Sequence, residues 1–327
     1  LEIRPYRRDE LKKYIADGRL LVGPWYVQND FYLTSGESTV RNLLIGSEIA
    51  REFGRCDTVG YTPDQFGIIA QLPQVFRGFG IDCCIFGRGY HFWERDESGR
   101  RVLRPTDNEF LWRGQDGSEV LAVLLRRWYN NAQRFPADIR RAMRYLEIIE
   151  DGIGPQSTTR HRLLMNGVDH LEAQEDLLPI LRAMDEQLDS ATIRQTTLRE
   201  YVDLVRRERR EEDMESWTGE MRRGVEGQIL AGTLSSRPQL KQENARCQAL
   251  LELAVEPLYA MLCTASGDPS LYPKDILRYA WKLLLRNHPH DSIWGCSRDE
   301  VHEDNESRFK RVQECAGDLL RRGMRQL

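Results

Sequence analysis

Three short segments carry the residues whose types and spacing could do chemistry: Asp64 in VGYTPDQFGI, Asp169-His170 in RLLMNGVDH, and Asn287-His288-Pro289-His290-Asp291. Asp64 and Asp169 each follow an apolar run of strand character, and parallel α/β architectures take their catalytic groups from such strand ends. Two carboxyls converging at one mouth could serve as nucleophile and general acid/base in glycoside hydrolysis, where a retaining pair lies about 5–5.5 Å apart. Acidic loop residues are common, so the pair alone is a weak signal. On spacing alone the plainer reading of Asp64 is a helix N-cap whose carboxylate accepts a backbone N–H.

Pro289 should end the preceding helix and leave His290 and Asp291 on an irregular turn. A neutral imidazole with carboxylates suits zinc, so His290 and Asp64 are conceivable parts of a metal site. The competing reading is a helix C-terminus whose histidines meet exposed carbonyls. Aromatic residues beside polar ones, Trp25-Tyr26, Trp112 and Trp128-Tyr129-Asn130-Asn131, could stack on sugar faces, although most aromatics fill cores.

These residues need strands and helices to place them. Apolar runs at 20–23, 57–61, 83–86, 119–125, 162–166 and 191–198 alternate with amphipathic stretches through about residue 205. Such alternation predicts an α/β fold with a mainly parallel sheet or barrel and helices outside. From about residue 236 the strand signals stop, and three long amphipathic stretches over 240–263, 272–290 and 297–323 read as a helical bundle.

The 327 residues carry a formal charge of −4, which gives no electrostatic reason to expect nucleic acid or an acidic membrane surface. The arginines of VRRERREEDME (205–215) are interleaved with acids and read as a solvated face. Seven cysteines in no zinc-finger spacing favour a reducing, cytoplasmic setting over a disulfide scaffold. No segment reads as long and apolar enough to cross a bilayer, and no leader opens the chain. Beginning at Leu1 inside a helix-like stretch, the chain reads as the interior of a longer protein. Nothing in it decides for or against a homo-oligomer.

Taken together and in order, GPWYVQNDFYLTSGESTVRNLLIG (23–46), VGYTPDQFGIIAQLPQVFRGFGI (59–81), NEFLWRGQDGSEVL (108–121), LLMNGVDH (163–170), GTLSSRPQLKQENA (232–245) and NHPHDSIWGCS (287–297) resemble the family 38 glycoside hydrolases, the α-mannosidases, and particularly their bacterial mannosylglycerate hydrolase-like branch. The resemblance implies an incomplete seven-unit (β/α) barrel over 1–230, lacking its first strand, followed by a three-helix middle domain over 231–327.

It also implies roles. Asp64 looks like the nucleophile and a zinc ligand, Asp169 like the general acid/base, and His290 like a zinc ligand. Arg88, Tyr129, Arg237 and Asp291 look like residues lining the sugar site. The implied substrate is a terminal α-mannoside such as mannosylglycerate or a mannose-containing oligosaccharide. Zinc would grip sugar hydroxyls rather than generate a nucleophilic water.

The family's other two zinc ligands come from a His-x-Asp segment that does not occur before Leu1, and its C-terminal β region does not occur either. The chain alone is therefore expected to bind zinc weakly and to turn over little substrate. Two rivals compete: a non-catalytic carbohydrate-binding or assembly subunit of the same fold, and a polysaccharide deacetylase-like metal hydrolase. The latter needs a complete metal triad and a water-activating base.

Overall fold

The computed structural model describes residues 3–90, 93–103, 106–223 and 229–327. The chain forms two compact units, each assembled from separate stretches. One comprises Thr58–Asp64 and Ile68–Ile229; the other comprises Leu1–Asp57, Gln65–Gly67 and Leu230–Leu327.

The first unit is built on β1 (Gly60–Thr62), β2 (Cys83–Phe86), β3 (Trp93–Arg95), β4 (Arg101–Leu103), β5 (Glu109–Arg113), β6 (Glu119–Leu124) and β7 (Ser216–Thr218). Five of these make one open sheet in the order β1-β2-β6-β5-β7, and β3 and β4 pair separately. β1, β2 and β6 run parallel, β5 is antiparallel to β6, and β7 is parallel to β5. The α/β class expected from sequence holds, and where an incomplete barrel of mainly parallel strands was implied, the described strands form an open, mixed sheet.

Two physical reasons account for this. The turn at Gly114–Ser118 closes a tight hairpin, with Gly117 at a φ of 85° and the Asp116 carboxylate accepting from Ser118 N, so β5 returns antiparallel. The runs at 162–166 and 191–198 make no ladder. Instead Met165 N donates to the Asn131 side chain and Met165 O accepts from Ala132 N.

β2 is buried along its whole length, as a strand covered on both faces must be. Val59, Cys83, Ile85, Leu121, Val123 and Leu125 pack against Tyr201, Val202 and Val205 of the helix Leu198–Glu208. Thr197 caps that helix by accepting from Glu200 N, and burial of its apolar stripe is the main stabilising contribution.

Its polar side is less solvated than its charge pattern suggests. Arg199 and Arg206 grip the two oxygens of Asp82 at 2.8 and 2.6 Å, and Arg199 also reaches Thr58 O at 2.8 Å. Burial opposes ionisation of Asp82, but the two arginines outweigh it and hold its pKa below the usual carboxylate value. A depressed folded pKa contributes stability that is present above the unfolded pKa and lost as pH falls through the folded one. Asp82→Asn should therefore flatten the acid limb of the unfolding curve, and urea melts of both proteins from pH 5 down to pH 2 check this.

In the second unit the helix Gly36–Glu52 starts at Ser35, whose side chain accepts from Ser38 N. The run 20–23, expected as a strand, forms none; Pro24 follows it and has no N–H to give to a ladder. Helices occupy Pro238–Ala249, Glu256–Ser266, Lys274–Leu285 and Asp299–Met324. The first two join through a π-helical segment, Leu250–Val255. This widened turn precedes Pro257, whose ring could not follow a regular one without meeting the carbonyl a turn behind.

The joined helix Pro238–Ser266 is long and apolar enough by length and composition to cross a bilayer, which corrects the expectation that no such segment exists. Its Leu251, Val255, Leu258, Tyr259 and Leu262 lie in the core formed with Trp281, Leu284, Trp294, Phe309 and Val312.

Candidate functional site

In the first unit the chemistry gathers at the carboxyl ends of three adjacent parallel strands. Thr62 pairs with Phe86, and Phe86 with Leu124, so the residues just past these positions emerge along one edge. Asp64 and Arg88 stand at equivalent places beyond β1 and β2, and Trp128-Tyr129 follow β6. The helix-cap reading of Asp64 does not hold: the next helix begins at Leu72, with Gln71 as its N-cap.

Arg88 donates through Nε at 2.7 Å and Nη2 at 2.5 Å, both to Asp64 Oδ1. Both side chains are largely withdrawn from solvent, at 11% and 18% exposure, where such charge-assisted bonds are strongest. Gly87 makes the approach feasible, because a Cβ there would lie 2.4 Å from Pro63 O and 4.0 Å from Trp128 Cε3.

The Arg88 guanidinium lies over the Trp128 ring at 4.4 Å, and the Trp128 and Tyr129 rings are 5.0 Å apart. Tyr129 donates its hydroxyl to Asp169 Oδ2 at 2.6 Å. The two carboxylates are thus joined by a continuous set of contacts running Asp64, Arg88, Trp128, Tyr129, Asp169. Burial, the hydrogen bond to Asp169 and the charge of Asp64 raise the Tyr129 pKa well above that of an ordinary phenol. Tyr61 is raised by burial, then by Tyr129, Asp169 and Asp64. Both hydroxyls stay protonated through neutral pH and so act as donors toward an acidic site.

Four of the residues named from sequence, Asp64, Arg88, Tyr129 and Asp169, are therefore brought together. Tyr61 escaped sequence reasoning, although its place in the strand before Pro63-Asp64 was the available signal.

The other three named residues belong to the second unit. His290 does not sit on an irregular turn: it opens a short helix, His290–Trp294, with Pro289 as N-cap. Its Nδ1 lies 3.2 Å from Gln28 O and must donate there, which makes Nε2 the basic nitrogen of the ring. Phe66 packs against it edge-on at 5.3 Å. Asp291 Oδ1 accepts from Cys296 Sγ at 3.3 Å. Arg237 reaches Gly295 O at 3.3 Å and Asp299 Oδ1 at 2.5 Å.

A buried carboxylate missed from sequence, Asp30, accepts from Tyr32 N, Leu33 N and Trp294 Nε1 at 2.7, 2.6 and 2.5 Å. Its burial raises its pKa against the pull of those bonds. His288 is wholly buried with Nε2 2.7 Å from Asn244 Oδ1, and burial lowers its pKa to about 3, so it is neutral. Its Nδ1 has no hydrogen-bond partner among the described residues.

Zinc binding takes three or four protein ligands. Among the described residues no group of three or more His, Cys, Asp or Glu side chains is placed to hold a metal ion. The sequence-derived donors Asp64 and His290 fall in different units. The described residues therefore show no zinc site.

Comparison with known proteins gives a consistent picture. A relative in Halalkalibacterium halodurans, named "Putative mannosylglycerate hydrolase", is 37% identical over 96% of this chain and 35% of its own length. Human alpha-mannosidase 2C1 is 28% identical over 95% of this chain and 28% of its own. A crystal structure of an alpha-mannosidase from Enterococcus faecalis superposes with a TM-score of 0.89 at 33% identity, covering 100% of this chain and 36% of that one. The chain thus spans about a third of the length of the proteins it matches. Residues 1–220 match the model of the glycosyl hydrolases family 38 N-terminal domain and residues 228–327 that of the alpha mannosidase middle domain, so the chain belongs to glycosyl hydrolase family 38.

Proposed function

We propose that the protein carrying this chain removes terminal α-linked mannose with retention of configuration, Asp64 acting as nucleophile and Asp169 as general acid/base. The observation that supports this best is the connected set Asp64, Arg88, Trp128, Tyr129, Asp169 along one strand-end edge. In the first step an Asp64 oxygen attacks the anomeric carbon, the bond to the aglycone oxygen breaks, and Asp169 gives that oxygen its proton. In the second, Asp169 takes a proton from water as the water displaces Asp64 and frees mannose.

The Tyr129 hydroxyl can donate to the carboxylate form of Asp169 and accept from its acid form, so their contact survives both steps. Arg88 fixes the nucleophile's orientation through Oδ1. Arg237 and Asp291 are proposed to contact sugar, and family membership proposes zinc with Asp64 and His290 among its ligands. Among the described residues no group is placed to hold a metal ion, and no step is assigned to the metal.

Residues 1–230 are proposed as the catalytic portion and 231–327 as a helical middle domain. The substrate class is a terminal α-mannoside, with mannosylglycerate and mannose-containing oligosaccharides as the leading forms. All seven thiols are free, in keeping with a reducing compartment, and the cytoplasm is the proposed location. Proton NMR of the first mannose released from an aryl α-mannoside tests the mechanism: α-mannose should appear first and then mutarotate. Initial release of β-mannose would overturn the retaining assignment.

A further inference from the structure

The turn after β6 is held in a costly conformation and tied at both ends. Arg127 and Trp128 are consecutive residues with φ of 61° and 87°, a region that bulky L side chains rarely enter. Trp128 N bonds back to Leu125 O at 2.9 Å, and Trp128 O accepts from Asn131 N at 3.3 Å. Upstream, Arg126 reaches Asn108 Oδ1 at 2.7 Å and Thr106 O at 2.5 Å. Downstream, the buried Asn131 donates to Leu163 O at 3.1 Å and accepts from Met165 N at 2.8 Å, on the extended run that leads to Asp169. Strain of this kind persists only where the surroundings over-determine it.

We propose that Trp128 is a positioning residue for the nucleophile: the strained turn presents its ring beneath Arg88, and the ring, by holding the guanidinium, fixes the Asp64 carboxylate. Tyr129, next on the same turn, serves Asp169, so one rigid segment sets both carboxylates. This rests on the proposed roles of Asp64 and Asp169. The flat face of an indole attracts a cation through its quadrupole and limits the cation's sideways motion. Leucine keeps an apolar but smaller side chain without that face, whereas phenylalanine keeps a weaker version of it.

Leaving-group chemistry separates the two sides of the site. An activated aryl α-mannoside departs without proton donation, while an alkyl α-mannoside needs the acid. A misplaced nucleophile therefore slows the first step, read as kcat/KM, for both substrates by a similar factor, and a misplaced acid slows that step only for the alkyl one.

The test uses the intact protein that carries this chain, with dinitrophenyl and methyl α-mannosides as probes. Trp128→Leu should lower kcat/KM on the order of 100-fold, equally for both substrates. Trp128→Phe should recover most of the rate, keeping a small and again equal deficit, and this variant decides the matter if Trp128→Leu melts early. Tyr129→Phe should lower kcat/KM for the methyl substrate alone. A kcat/KM unchanged in Trp128→Leu, a loss confined to the methyl substrate, or no recovery in Trp128→Phe overturns the inference. Asp64→Asn run alongside separates the two ideas, since activity retained there overturns the nucleophile assignment itself.

Discussion

Asp64→Asn is expected to abolish α-mannoside hydrolysis, with kcat falling about 10⁴-fold or more, the scale seen when a nucleophile is removed. The amide is nearly isosteric and keeps an oxygen toward Arg88, so the two bonds to Oδ1 lose their charge assistance rather than their geometry. The guanidinium also keeps its place over Trp128 at 4.4 Å. A cost to stability of about 1–3 kcal/mol follows from weakening a hydrogen bond between charged partners, too little to unfold a typical domain. Steady-state rates on an aryl α-mannoside, read beside a far-ultraviolet circular dichroism melt, check both halves. Retained activity with a native melt would remove Asp64 from the nucleophile's role.

Asp169→Asn is expected to behave differently, because the same residue serves both steps. With an alkyl α-mannoside the rate should fall about 10²- to 10⁴-fold, the usual contribution of a general acid. With a dinitrophenyl α-mannoside the first step needs no acid and should proceed nearly unimpaired. The second step has lost its base, so the mannosyl-enzyme should accumulate. The measurement is a rapid burst of dinitrophenol matching the enzyme concentration, together with an intact mass raised by one mannosyl residue. Asp169 and the following His170 are exposed, so the melt should move by no more than about 0.5 kcal/mol. Equal loss on both substrates with no burst would refute the acid/base assignment.

Local pattern made a good part of this molecule legible. The apolar runs at 83–86 and 119–125 became β2 and β6, and the amphipathic stretch between the runs at 20–23 and 57–61 contains the helix Gly36–Glu52, whose start is the Ser35 cap. The stretches after residue 236 became helices interrupted near Gly267 and Pro289. These elements are dictated within a few residues, by periodicity, by capping side chains and by the missing N–H of proline. The long helix Pro238–Ser266 was misjudged for the opposite reason: Glu252 and Glu256 interrupt its apolar character in the linear sequence, yet its hydropathy over a full window still reaches the membrane range.

What the residues alone determined is the set of groups that could react, Asp64, Asp169 and His290, and the order of segments that shows the family. Tertiary structure decided which of them meet. Strand partners are chosen by contacts distant in sequence, so the extended runs at 162–166 and 191–198 look like strands locally but find no ladder, and β5 joins antiparallel through its hairpin. The contact between Arg88 and Asp64, the left-handed backbone at Trp128 and the reach of Tyr129 to Asp169 depend on the register that aligns the ends of β1, β2 and β6. A one-residue slip would turn those side chains to the other face, and for that reason Asp64 reads as a helix cap in the linear sequence and as a clamped carboxylate at a strand end in the folded chain.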